Sequence, residues 1–264
     1  MTSKRTTVPV VLATLLLFAC KERDKSEAPP SVSPSKSEAP VAGQQQDETL
    51  TPSLAKHMQD HFTRGARIRD AVIAGDLETA KQHAQWMAEH QVSEDFPESW
   101  QPHVRTLQDA AKGVLDAQNI ATAATHTAAM GRACGECHAK LGGPKLELGQ
   151  APGEGSGSVP HMARHQWAAE RMWDALTVPS EEAWRKAAEV MADAPLTPEA
   201  VQGARSVPPK TEQLAKQVHD IAEAARADRQ MEKWSSAYGS FLSTCADCHQ
   251  ALQAGASKGQ GSPQ

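Results

Sequence analysis

The chain has 264 residues, a net charge of −5, a 39% hydrophobic composition and only 4% aromatic residues. So mild a charge argues against nucleic acid as a partner, since that needs a concentrated basic face. With so few aromatics, Ala, Leu and Met have to fill most of the core, which suits packed helices better than strands, and the length allows one or two domains.

In chain order, residues 1–19 have the form of an export signal: a basic start at Lys4 and Arg5, then an apolar run from Val8 to Phe18. A run of about a dozen residues is too short to span a bilayer, which needs roughly 20. It ends Leu17-Phe18-Ala19-Cys20, which resembles a bacterial lipoprotein signal, although Phe18 is bulkier than is usual there. That resemblance implies lipid on Cys20 and a membrane anchor. Lys21, rather than Asp, resembles the outer-membrane default. An ordinary signal with an incidental cysteine is the alternative. Residues 20–50 are rich in Ser, Pro, Glu and Lys and read as a flexible tether.

Two segments follow, 51–140 and 161–252, separated by a Gly/Pro-rich linker at 141–160 and ended by a Gly/Ser/Gln tail at 253–264. They are copies of one unit. His57-Met58-x-x-His61 recurs as His161-Met162-x-x-His165, an offset of 104. Ala84, Met87 and Ala88 match Ala188, Met191 and Ala192 at the same offset. Cys134-Cys137-His138 match Cys245-Cys248-His249 at 111. The offset grows only between these blocks, which puts the insertions in loops. In the first copy the predicted helices run over 52–74, 76–91, 99–117 and 118–138, with 104–133 also readable as one longer helix. Leu54, Met58, His61, Gly65, Ile68 and Val72, spaced 4-3-4-3-4, make one face of the first. Gly75-Asp76 and Pro179-Ser180 break and recap the chain before each second helix. No stretch alternates like a strand. The expected fold is all-α, two tandem four-helix bundles of up-down-up-down form. Trp86, Trp100, Trp173, Trp184 and Trp234 read as core filling.

Four of the five cysteines lie in two C-x-x-C-H motifs, Cys134-Gly135-Glu136-Cys137-His138 and Cys245-Ala246-Asp247-Cys248-His249. This is the attachment pattern of c-type haem. Two thiols three apart on a helical turn can reach the two vinyl groups on one porphyrin edge, and the next residue supplies an imidazole to iron. A single zinc site held by all four of these thiols is the first rival, but 107 residues would lie between its pairs and both following histidines would be unexplained. A redox dithiol is the second, but such pairs open helices, where the thiol pKa is lowered, and these motifs end them.

A four-helix unit with C-x-x-C-H near its end resembles cytochrome c-prime and its low-spin relatives, over about 85 residues per copy. The resemblance implies a haem pocket between first and last helices, with His138 and His249 as proximal ligands. Topology then sets the start of helix one across from the motif. His61 or Met58, and His165 or Met162, become candidates for the sixth ligand. A buried neutral imidazole needs a partner, which favours histidine. The low-spin relatives use methionine, and cytochrome c-prime leaves the site open. His57 and His161 lie beside the stripe. His83, His90, His103, His126 and His219 have no counterpart in the other copy and are expected to face solvent.

The functional expectation is a non-enzymatic, membrane-tethered electron carrier with two covalent haems c, serving redox partner proteins on the periplasmic side of the cell envelope, the outer membrane more than the inner. Gas binding or sensing at an open distal side is the alternative. A dihaem peroxidase lacks any repeated acid–base constellation here.

Overall fold

The structure, a computed structural model, describes residues 52–90, 96–155, 157–192 and 209–258, with side chains as far as residue 253. The export signal, Cys20 and the tether lie outside the described residues. Every described element is helical: α1 (Pro52–Ala74), α2 (Leu77–Glu89), a 3-10 turn (Glu98–Trp100) leading into α3 (Gln101–Leu115), α4 (Ile120–Leu141), α5 (Ser158–Thr177), α6 (Glu181–Ala192), α7 (Pro209–Ala225) and α8 (Met231–Lys258). No described helix is long and apolar enough to cross a membrane.

The local signals act where the side chains require. On α1, His61, Gly65, Ile68 and Val72 of the expected stripe are buried. Gly75, at φ 77°, ends that helix, and Asp76 caps α2 by accepting from the Thr79 N–H at 3.0 Å. Ser180, the counterpart of Asp76 at an offset of 104, accepts from the Ala183 N–H at 3.2 Å and caps α6. Asn119 does the same for α4, accepting from the Thr122 N–H at 2.9 Å. That cap makes α3 and α4 separate helices, so the single helix over 104–133 does not form. Gly142, at φ 82°, closes α4, and its N–H and that of Gly143 both bond to the His138 carbonyl.

Residues 141–160 are not a free spacer. Leu146, Leu148 and Ala151 pack against the core, and the Arg164 guanidinium donates to the Pro152 carbonyl at 2.9 Å. The tail also differs from expectation, because α8 continues past 252 to Lys258.

Helices pack with their chain neighbours, α1 to α4 in the first half and α5 to α8 in the second, but α4 also lies against both α5 and α8, and α1 against α8. The centre of the molecule is therefore α1, α4, α5 and α8, with α2 and α3 beside the first half and α6 and α7 beside the second. One apolar core runs through both halves. Alanine is the commonest residue in it, and small side chains let these backbones approach. A Cβ on Gly239 of α8 would sit 3.3 Å from Thr125 Cα of α4. Trp173 of α5 is buried against Gly65 of α1 and Gly131 of α4; a Cβ at either glycine would meet its ring at 3.0 Å or less. The Tyr238 hydroxyl of α8 donates to the Ala169 carbonyl at 2.8 Å. Trp184 and Trp234 stack at 5.2 Å in the second half's core, while Trp86 and Trp100 are half-buried.

Contacts fix the directions. Gly135 meets Met231 and Gly239 meets Thr125, so α4 and α8 are antiparallel. Gly131 meets Trp173 and His138 meets Thr177, so α4 and α5 are parallel. His249 meets Ile73, so α8 ends where α1 ends. One end of the core thus holds the start of α1 and the ends of α4 and α5. The other holds the end of α1, the start of α5 and the end of α8.

Candidate functional site

Each C-x-x-C-H motif lies late in its helix, the first on the last two turns of α4 and the second on α8. Spacing of three puts both thiols on one face. The two copies share one burial pattern: half-buried cysteines and histidine, a buried Gly135 or Ala246, an exposed Glu136 or Asp247. All four thiols are free. Burial pushes Cys134 and Cys245 up to about 12, and raises Cys137 and Cys248 as well. They are protonated at neutral pH, the reverse of a dithiol activated at a helix N-terminus.

The histidine closing each motif is oriented by a backbone carbonyl. His138 Nδ1 lies 2.6 Å from Thr177 O, and His249 Nδ1 lies 2.9 Å from Ile73 O. A carbonyl can only accept, so Nδ1 carries the proton in both. The lone pair is left on Nε2, the arrangement metal-binding imidazoles adopt.

The recurring His-Met-x-x-His segments start α1 and α5, and each gathers a third histidine. His57, His61 and His90 form one cluster and His161, His165 and His219 the other; within each, the ring nitrogens lie within 4.8 Å of one another. The Nε2 atoms of His61, His161, His165 and His219 are buried with no hydrogen-bond partner. Burial foremost, then the neighbouring imidazoles, holds His61 and His165 down to about 3. Burial, then His219, holds His161 down to about 4. These rings are neutral, with a nitrogen free to act as a ligand.

His90 and His219 correct the expectation that unmatched histidines face solvent. His90, capping the end of α2, lies with its Nε2 3.3 Å from His57 Nδ1. His219 reaches its cluster from α7, its Nδ1 3.3 Å from Ala192 O. They occupy different elements, so no offset relates them, and only the packing brings each to the same place. His57 and His161, read as beside the stripe, are also full cluster members. His83, half-buried 3.3 Å from the Arg64 guanidinium, His103 and His126 stay outside the clusters. Met58 is half-buried, whereas Met162 is 38% exposed and does not share the inward face expected of it.

Cluster and motif of each half lie at the same end of the core. Gly65 and Gly131 both touch the Trp173 ring and so stand level. From that level His61 is four residues toward the start of α1, and Cys134 three residues toward the end of α4. The helices are antiparallel, so both steps lead the same way, by about 5 Å. In the second half, His161 and His165 start α5 where α8 carries its motif. No family model, no curated protein and no solved structure matches the chain.

Proposed function

We propose that the chain is a dihaem c-type cytochrome that carries electrons between redox partner proteins in the bacterial cell envelope. In this reading it is built of two four-helix units of the cytochrome c-prime kind and tethered to a membrane by lipid on Cys20. The observation that carries it is the repeated motif with one chemistry in both copies: two protonated, half-buried thiols on one helix face, followed by an imidazole whose Nδ1–H is engaged and whose Nε2 is free. Cys134 and Cys137, and Cys245 and Cys248, would hold the two groups through thioethers, with His138 and His249 as proximal ligands. Bound there, haem supplies a one-electron couple whose potential the ligands and burial set.

For the sixth position the donor atoms favour His61 and His165. Both are buried and neutral, with an Nε2 that lacks a partner, and a buried polar atom so placed costs free energy until something binds it. Met58 and Met162 are the weaker candidates, one half-buried and the other exposed. Imidazoles on both sides leave no open position, which supports electron carriage over gas binding and over catalysis.

The deciding experiment is mass analysis of the mature protein with an optical spectrum of its reduced form, with and without carbon monoxide. Two covalent groups resistant to acid–acetone extraction are expected, with no carbon monoxide shift. Cys134→Ala with Cys137→Ala should leave one group. Extraction of all colour, or zinc in its place, would sink the reading, and free carbon monoxide binding at both groups would move it to gas binding. Cys20→Ser should release the protein to the soluble fraction.

A further inference from the structure

Neither proximal imidazole is braced by its own half. His138, on α4 of the first half, donates to Thr177 O at the end of α5, and His249, on α8 of the second half, donates to Ile73 O at the end of α1. Both acceptors belong to a last helical turn, where four carbonyls have no partner within the helix. The bonds that close α1 run from Gly75 N–H to Val72 O and from Asp76 N–H to Ala71 O. The bond that closes α5 runs from Val178 N–H to Asp174 O. Ile73 O and Thr177 O are left for the histidines. Ile73 and Thr177 are themselves counterparts at an offset of 104, the offset that relates His61 to His165. Each of these two helices therefore carries its own half's distal cluster at one end. Twelve residues on, about 18 Å at 1.5 Å per residue, it carries the carbonyl that orients the other half's proximal ligand.

We propose that the C-terminal turns of α1 and α5 are crossed positioning elements: each sets the tautomer, ring orientation and donor strength of the haem ligand belonging to the opposite half. The inference rests on the dihaem reading. A helix C-terminus carries roughly −0.5 of an elementary charge. A hydrogen bond from Nδ1–H to it makes the imidazole more basic at Nε2 and favours the oxidised metal. Loosening one turn should thus raise the reduction potential of the group in the other half and leave its own half unchanged.

Gly75 offers the lever. It has φ 77°, where a side chain is strained, and a Cβ there would lie 2.7 Å from Gln250 Nε2, next in the chain after His249. In the full-length holoprotein, Gly75→Ala, and Gly75→Val where it still loads both groups, should raise the potential of the group at Cys245–His249 and not that at Cys134–His138. Single-group backgrounds made with Cys134→Ala/Cys137→Ala or Cys245→Ala/Cys248→Ala assign the signals. The mirror variant is Val178→Pro, which drives Thr177 out of helical geometry and swings its carbonyl. It should move the group at Cys134 alone. Ser180→Ala, close by but on the α6 cap, should move neither. A shift confined to the variant's own half, or no shift in variants that load both groups, overturns the proposal. A wild type with no covalent group would instead defeat the functional reading beneath it.

Discussion

The two halves agree where they present the motif histidines and differ where they fill the space between them. In the second half the central helix carries Trp173, whose ring lies on Gly65 and Gly131 of the first. At the counterpart of Trp173 the first half has Arg69, 6% exposed and paired through its guanidinium with Asp70 at 2.6 Å. The counterparts of Gly65 and Gly131 are Ala169 and Leu242, both buried. The seam at Trp173 is thus a large ring against two glycines, whereas an arginine, an alanine and a leucine, all buried, stand at the corresponding positions. The third histidines show the converse. His90 and His219 come from different elements and still complete equivalent clusters. The residues of the seam thus differ between the halves, while the imidazole cluster is completed twice by residues from different elements.

The largest test of this comparison is Trp173→Ala. Emptying the space of a buried Trp typically costs about 3–5 kcal/mol. Because its ring is seated on first-half glycines, urea unfolding should show both halves losing stability in one transition. An unchanged first half, followed by hydrogen exchange of its own amides, would mean the halves fold apart.

Acid should act on both clusters. His61 and His165 have folded values of about 3 against an ordinary 6.5, so between these limits the unfolded chain binds more protons than the folded one. Stability is then fully present above pH 6.5 and is lost as pH falls toward 3. At pH 5 the loss is about 2 kcal/mol per histidine. Urea midpoints at pH 7 and pH 5 measure it in the Cys134→Ala/Cys137→Ala/Cys245→Ala/Cys248→Ala chain, where these imidazoles are unligated. His61→Gln and His165→Gln should each remove a comparable share of the pH dependence, with His161, held down to about 4, contributing a further share, and an effect from only one of the two variants would break the equivalence of the clusters.

A smaller asymmetry is expected inside the motifs. A Cβ at Gly135 would lie 2.0 Å from Leu176 O, whereas its counterpart Ala246 is buried without such a backbone neighbour being forced aside. Gly135→Ala should cost roughly 1–3 kcal/mol, as overpacking does, despite alanine's better helix propensity. Ala246→Gly should cost about 1 kcal/mol from propensity and about 1 kcal/mol more for its buried methyl, with no overpacking. Thermal melts measure both, and no loss from Gly135→Ala would argue against the seam at α5. Least of all, Asp76→Ala and Ser180→Ala should each cost about 1 kcal/mol as lost N-caps, equal within error if the second helices are true counterparts.

Features encoded within a few residues were legible in the sequence. The stripe of α1, the caps at Asp76 and Ser180, the motifs and their place late in their helices all depend on neighbours three or four apart. The separation of α3 from α4 turned on one side chain, Asn119, whose cap bond a hydrophobic pattern does not record. The seam at Trp173 and the carbonyls facing His138 and His249 join residues 39 to 176 positions apart, and nothing local signals such pairs. The repeat offset itself concealed His90 and His219, because it recognises only residues that kept their place in the chain. Met162 kept its place and still faces outward, so correspondence along the chain does not ensure correspondence in space.

The exchanged carbonyls have a bearing on how small this protein could be. A single unit has one histidine in need of an acceptor and one helix end in need of a donor, and its own chain path does not bring the two together. Two units close both vacancies at once: the histidine of the first meets the helix end of the second, and the reverse. That is the reciprocity of a two-fold, self-complementary interface, in which patch i meets patch j and j meets i. A lone half would satisfy both groups only by meeting a second, as the two halves of this chain do.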